Sequence, residues 1–137
     1  MVDIGTRLGC SALQLSFGNP SGTVLTVDID PSAAKRVEAL NVPNIVAVTG
    51  DSEGVFESVK VLAKEIDLLY IDGDHRLEKV MLDYTLYGSI VRRGGIILFD
   101  DLNYDDDMRE FWKRVTLPKI VLGHLHTGYH FGLAIKV

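Results

Sequence analysis

Asp67-Leu68-Leu69-Tyr70-Ile71, then Asp72-Gly73-Asp74-His75, then the run 76–90 and, three residues on, Gly94-Gly95-Ile96-Ile97-Leu98-Phe99-Asp100 form the stretch from which the fold is read. Its first and last pieces are short, apolar and rich in β-formers. Between them Leu77, Val80, Met81 and Tyr84 recur at i, i+3, i+4 and i+7, a helical apolar stripe that leaves Glu78, Lys79 and Asp83 outside it. Gly94-Gly95 supplies the expected stop between helix and strand. Two strands that are apolar throughout, joined by a helix, describe a parallel pair buried on both faces.

Working outward, the same alternation repeats. Strands are expected at 2–4, 23–28, 45–49, 67–71 and 95–100, with helices at 11–17, 32–40, 55–64, 76–90 and 105–115. Ser11 with Gln14 reads as a capping box, and Asp30-Pro31 as an N-cap followed by proline in the first turn. The runs 119–125 and 130–136, joined by a loop containing Gly128, read as an antiparallel hairpin. The expected architecture is α/β: a Rossmann-like three-layer sandwich whose mostly parallel, seven-stranded sheet ends in that hairpin. At 137 residues, with no repeat or Pro/Ser-rich linker, residues 1–137 are expected to form a single domain. The first strand starts one residue after Met1, and so short a strand is expected to pair poorly.

Composition narrows the function classes. With 47% apolar and 24% charged residues the chain can build a core, which excludes wholesale disorder. No apolar run is long enough to span a membrane, and the N-terminus does not read as a secretory signal. A single cysteine, Cys10, favours a reducing, cytoplasmic setting. The net charge of −5 argues against a nucleic-acid partner, which asks for a basic stripe. Five aspartates, Asp100, Asp101, Asp105, Asp106 and Asp107, fall within eight residues.

Ligands of open parallel sheets bind at the carboxyl ends of the strands, so those ends carry the functional reading. After the first strand comes Asp3-Ile4-Gly5-Thr6-Arg7-Leu8-Gly9-Cys10-Ser11. Arg7 interrupts the G-x-G-x-x-G pattern, which disfavours a pyrophosphate cradle and an NAD-dependent oxidoreductase. The turn suits a ligand bound without phosphate contacts, or an ordinary tight βα connection. Asp28, followed by Ile29, lies 19 residues after Gly9, near the spacing at which a carboxylate meets ribose hydroxyls. Asp51-Ser52 can edge an adenine or simply cap the next helix. Asp72, Asp100 and Asp101 are delivered to one edge by adjacent strands. Converging carboxylates repel unless a proton, a basic group or a hard cation such as Mg²⁺, Mn²⁺ or Ca²⁺ intervenes. His75 can take a proton near neutral pH or serve as a helix-flanking surface residue. His124 and His126 share a strand face with metal-binding spacing but no third ligand, and an exposed polar face is the simpler reading. For Phe111 and Trp112, packing against the sheet is preferred to lining a substrate mouth.

The segments 3–9, Val27-Asp28-Ile29-Asp30-Pro31, Ile71-Asp72-Gly73-Asp74-His75 and Gly94-Gly95-Ile96-Ile97-Leu98-Phe99-Asp100-Asp101 together resemble the class I S-adenosylmethionine-dependent methyltransferases. The branch they are most similar to is that of cation-dependent small-molecule O-methyltransferases. The resemblance implies that Asp3, Gly5, Thr6, Arg7, Gly9 and Ser11 hold the methionine part of the cofactor S-adenosylmethionine; Arg7 departs from the glycine that many members carry there, and its guanidinium suits the cofactor's carboxylate. It implies Asp28 and Ile29 at the ribose, Asp51 and Ser52 at the adenine, and Asp72 at the reacting centre beside His75. It also implies a divalent cation, Mg²⁺ or else Mn²⁺ or Ca²⁺, on Asp72, Asp100 and Asp101. His75 and Asp72 are thus the catalytic candidates, acting on a small hydroxylated acceptor. Family members carry a helical segment ahead of the first strand that covers the cofactor, and none precedes Val2 in this sequence. A second copy or another partner is therefore expected over the site. The alternative function is a non-catalytic cofactor- or nucleotide-binding module within an assembly.

Overall fold

The structure is a computed structural model that describes residues 1–123, 128 and 130–137; the His124 and His126 reading lies outside these residues. The chain runs β1 (Val2–Ile4), α1 (Cys10–Gly18), β2 (Val24–Asp28), α2 (Pro31–Ala39), β3 (Ile45–Thr49), α3 (Ser52–Ala63), β4 (Ile66–Ile71), α4 (Leu77–Ser89), β5 (Val91–Phe99), α5 (Asp106–Arg114), β6 (Lys119–Gly123) and β7 (His130–Ile135). One sheet orders the strands β3-β2-β1-β4-β5-β7-β6. The first five strands are parallel, and β7 returns antiparallel to both β5 and β6. The strand order reverses between β1 and β4, which is where such sheets open a crevice for ligands.

Strand β1 pairs fully with both neighbours, Ile4 matching Val27 on β2 and Ile71 on β4, contrary to the expectation from its length. Its central position supplies what its length lacks, since every residue of β1 is buried and laddered on two sides. A core cluster joins Val2, Ile4, Leu69, Ile71, Ile97 and Phe99 of the sheet to Phe56 and Val59 of α3, Val80 and Tyr87 of α4, and Met108 and Phe111 of α5. Ala12 of α1 and Ala33 and Val37 of α2 are buried outside that cluster. Phe99 meets Phe111 and Trp112 edge-on at 5.1 and 5.9 Å between centroids, so both aromatics of α5 pack on the sheet.

Three local readings are corrected. Gly94-Gly95 does not end the long helix: α4 stops at Ser89, and both glycines lie inside β5. There the register steps from Ile66↔Val91 to Leu68↔Ile96, so residues 92–95 bulge. A Cβ on Gly95 would stand 2.6 Å from Val91 Cγ1, and Gly94 has φ +75°. Glycine is demanded here by a strand irregularity instead of a helix end. The capping box at Ser11 is absent. Gly9 occupies the N-cap of α1 without a side-chain cap bond, and Ser11 Oγ donates to Asp3 Oδ2. Finally, Asp83 is not on the solvent face of α4. The buried line runs Val80, Asp83, Tyr87, with Leu77, Met81 and Tyr84 only partly buried beside it. The Asp30 cap follows expectation, accepting from Ser32 N–H at α2, and the structure adds a second cap at α5, where Asp105 accepts from Met108 N–H.

Candidate active site

A cavity of about 710 Å³ opens at the carboxyl ends of β1, β2, β3 and β4, over the reversal of strand order. Its floor depends on Gly5. The amides of Gly5 and Thr6 both donate to the Val27 carbonyl, which curls the chain sharply after β1. Gly5 has φ +103°, and a Cβ there would lie 1.9 Å from the Asp72 carbonyl oxygen. No other residue permits this approach of β1 to the end of β4.

Asp28 stands at the lip, where β2 ends. Its Oδ2 accepts the Arg7 amide at 2.7 Å, and its Oδ1 accepts the Asp30 amide at 2.8 Å. Backbone dipoles thus fix both oxygens and leave each a further lone pair toward the cavity. Gly5, Arg7, Asp28, Ile29, Asp51, Ser52 and Asp72 all line the cavity. Arg7 sits in the left-handed region (φ +46°), and its carbonyl accepts from the Arg36 guanidinium at 2.9 Å.

Asp3, Thr6, Gly9 and Ser11 are placed differently: they do not line the cavity, and the first two are buried beneath it. Thr26 Oγ1 donates to Asp3 Oδ2 at 2.6 Å, so Thr6 is the donor in its own 2.6 Å bond to Thr26. Asp3 Oδ1 is buried without a partner. Burial therefore pushes the Asp3 carboxyl up to about 6, against the two hydroxyl bonds and with the Asp72 and Asp28 charges adding to the rise. These four residues brace the turn from below.

At the β4–β5 side, Asp72, His75 and Asp101 each bring a potential ligand atom within 4.8 Å of the others. His75 Nε2 faces Asp72 Oδ1 at 3.7 Å, an ion-pair distance too long for a hydrogen bond, and it is buried with no hydrogen-bond partner among the described residues. The Asp72 carboxylate raises the imidazole pKa, while burial opposes it. Desolvation raises both Asp72 and Asp101, and the Asp100 charge raises them further. Asp101 holds its backbone in the left-handed region, at φ +51°. The third expected carboxylate goes elsewhere: Asp100 accepts the Tyr70 hydroxyl at 2.7 Å and the Asp101 amide at 2.8 Å. The register Tyr70↔Leu98 and Ile71↔Phe99 explains the competition. Tyr70, Asp72 and the residue opposite Asp72 share a pleat phase, and the phenol captures Asp100.

Sequence reading passed over Asp74, Lys79, Asp83 and Tyr104, all of which line the cavity. Tyr104 lies 5.0 Å from the His75 ring, centroid to centroid. Asp74 is clamped by Arg76, which holds its carboxyl down to about 2. Asp83 reaches the cavity because α4 buries the line Val80, Asp83, Tyr87 instead of the apolar stripe read from the sequence.

This layout, with glycine turn, acid after β2, acid after β3 and acid after β4 around one crevice, is that of the class I methyltransferase fold. The family model of a methyltransferase domain matches residues 2–102, and the chain belongs to that family. An uncharacterized protein of Acanthamoeba polyphaga mimivirus is 40% identical over 85 residues, 62% of this chain and 36% of that protein's length. The chain thus spans little more than a third of that relative. Among solved structures, the O-methyltransferase TomG from Streptomyces achromogenes in complex with SAM superposes with a TM-score of 0.80 at 19% identity, covering 99% of this chain and 72% of that one. An O-methyltransferase from Bacillus cereus in complex with SAH gives 0.76 at 20% identity, covering 98% and 73%. Fibrillarin from Aeropyrum pernix with natively bound S-adenosyl-L-methionine gives 0.75 at 18% identity, covering 98% and 65%. No helix among the described residues is long and apolar enough to cross a membrane.

Proposed function

We propose that the chain binds S-adenosylmethionine and transfers its methyl group to the oxygen of a small hydroxylated acceptor. The observation that carries this is Asp28. A carboxylate oriented by two backbone amides at the lip of the cavity is built to accept two neighbouring hydroxyls. Ribose supplies that pair. Arg7, on the same turn, offers the charge for an amino-acid carboxylate, and Asp51 offers an acceptor for an exocyclic amine.

Methyl transfer from a sulfonium is an in-line displacement that asks the protein for alignment, exclusion of water and removal of one proton. His75, which lines the cavity beside Asp72, is the residue that would take that proton. Two carboxylates whose charges are disfavoured by burial and by the Asp100 charge fit a hard divalent cation such as Mg²⁺. Asp72 and Asp101 would hold it, and such an ion supplies Lewis acidity that lowers the acceptor's pKa. A second copy or another partner over the site is supported by Leu8, Phe17 and Ile29, each more than 60% exposed. The single cysteine supports a cytoplasmic setting.

The test is calorimetric titration with S-adenosylmethionine and S-adenosylhomocysteine, each with and without Mg²⁺. Saturable binding is expected, weakened about a hundredfold in Asp28→Ala by loss of two charge-assisted hydrogen bonds. Any effect of Mg²⁺ on binding is expected to vanish in Asp72→Ala. Absence of binding to folded protein would leave the chain a methyltransferase relative without the activity.

A further inference from the structure

Asp83 has no part in the roles above, yet it is the one charged residue among the described cavity-lining residues that is buried, at 3% exposure. Resting on the S-adenosylmethionine reading, we propose that Asp83 is a positioning residue: acting through Ser52, it fixes Asp51 where its carboxylate accepts from the exocyclic amine of the adenine.

Ser52 opens α3 and is gripped twice from α4. Its Oγ donates to Asp83 Oδ1 at 2.5 Å, and its carbonyl accepts the Tyr87 hydroxyl at 2.7 Å. Asp83 and Tyr87 are one helical turn apart, on the same face of α4. Tyr87 is fully buried and set edge-on against Phe56 of α3, with centroids 5.1 Å apart, so the grip rests on packed core. A carboxylate in this place is disfavoured chiefly by burial and also by the nearby Asp51 charge, which the Ser52 bond and the Lys79 charge offset only in part. An apolar side chain would continue the buried line of α4 without that cost.

The use made of Asp51 explains what the cost secures. Three helices begin after an aspartate at the N-cap. At α2 and α5 that aspartate caps the helix, Asp30 accepting from Ser32 N–H and Asp105 from Met108 N–H. At α3 the Asp51 side chain makes no capping bond and lines the cavity instead. Its carboxylate is left for a ligand, and the first turn of α3 is held from α4 in place of its own cap.

The discriminating pair of ligands is S-adenosylhomocysteine and S-inosylhomocysteine, in which a carbonyl replaces the exocyclic amine. Their dissociation constants are measured calorimetrically on the whole chain, wild type and variants. Wild type is expected to prefer the adenosyl compound by about tenfold or more, the range of one hydrogen bond to a charged group. Asp51→Ala and Asp83→Ala are each expected to reduce that preference to less than about threefold. Asp83→Asn, whose carbonyl still accepts from Ser52, is expected to retain it. Should Asp83→Ala not fold, Ser52→Ala removes the same bond and is expected to give the same loss of preference. A general structural role would weaken both ligands equally and leave the preference intact, and that result overturns the proposal. So does a wild type that binds both ligands without preference, although the methyl-donor reading survives it. A wild type that binds neither ligand overturns both.

Discussion

Asp28 and Asp72 end the two strands that flank β1, and the fold treats their charges in opposite ways. Asp28 has a backbone amide on each oxygen, at 2.7 and 2.8 Å. Asp72 lies near Asp101 and has the His75 imidazole 3.7 Å away as its nearest countercharge. The first carboxylate has both oxygens oriented by amides that belong to the turn itself, so it is aimed to accept neutral hydroxyls as folded. The second is left short of positive charge, and burial raises its pKa. One end of the cavity is complete as folded, while the other is completed by a proton, a cation or an acceptor. Geometry alone does not separate the two sites; the count of donors around each carboxylate does.

Asp3 lies beneath both regions and senses both charges. Its carboxyl binds a proton more tightly in the folded chain, at about 6, than at the ordinary 3.8 of an unfolded aspartate. Between those values the native state carries the extra proton, so this group's contribution to stability falls as pH rises from about 3.8 to about 6 and stays lost above. Urea unfolding across this window is expected to show Asp3→Asn gaining on wild type by on the order of 2–3 kcal/mol, the largest stability effect here. Parallel curves would mean that Asp3 is better solvated than its surroundings indicate.

The contrast itself is tested by neutralising each carboxylate in turn. Asp28→Asn is expected to destabilise the fold by about 1 kcal/mol, because an amide group must then face one of the two backbone donors. Asp72→Asn removes a repulsive charge and is expected to raise the melting temperature slightly. It should also abolish any stabilisation by Mg²⁺. Thermal melts that move in the same direction for both variants would break the comparison.

The smallest effect concerns Asp100, which Tyr70 draws away from its neighbours. Tyr70→Phe is expected to lower stability by less than about 1 kcal/mol and to tighten Mg²⁺ binding a few-fold, as Asp100 turns toward Asp72 and Asp101. Unchanged Mg²⁺ affinity would show that the backbone of Asp100, and not the phenol, decides its direction.

The sequence by itself determined the order of strands and helices, the parallel character of the first five strands and the C-terminal hairpin. Periodicity and apolar runs are local quantities, and each is complete within a dozen residues. The Asp30 cap was legible for the same reason, since donor and acceptor lie two residues apart. The sharp turn after β1 was legible from its glycines, but not that Gly5 and Arg7 line the cavity while Thr6 and Gly9 do not. Local rules misled where a residue's partner comes from a distant element. Gly94-Gly95 reads as a helix stop until β4 forces a bulge on β5. Asp83 reads as a solvent-facing charge until Ser52, 31 residues earlier, supplies its hydrogen bond. Asp100 reads as a partner of Asp72 until Tyr70, 30 residues earlier, takes it. Which acids meet at a strand edge depends on register, twist and the donors that neighbouring strands bring, and only the assembled sheet fixes those.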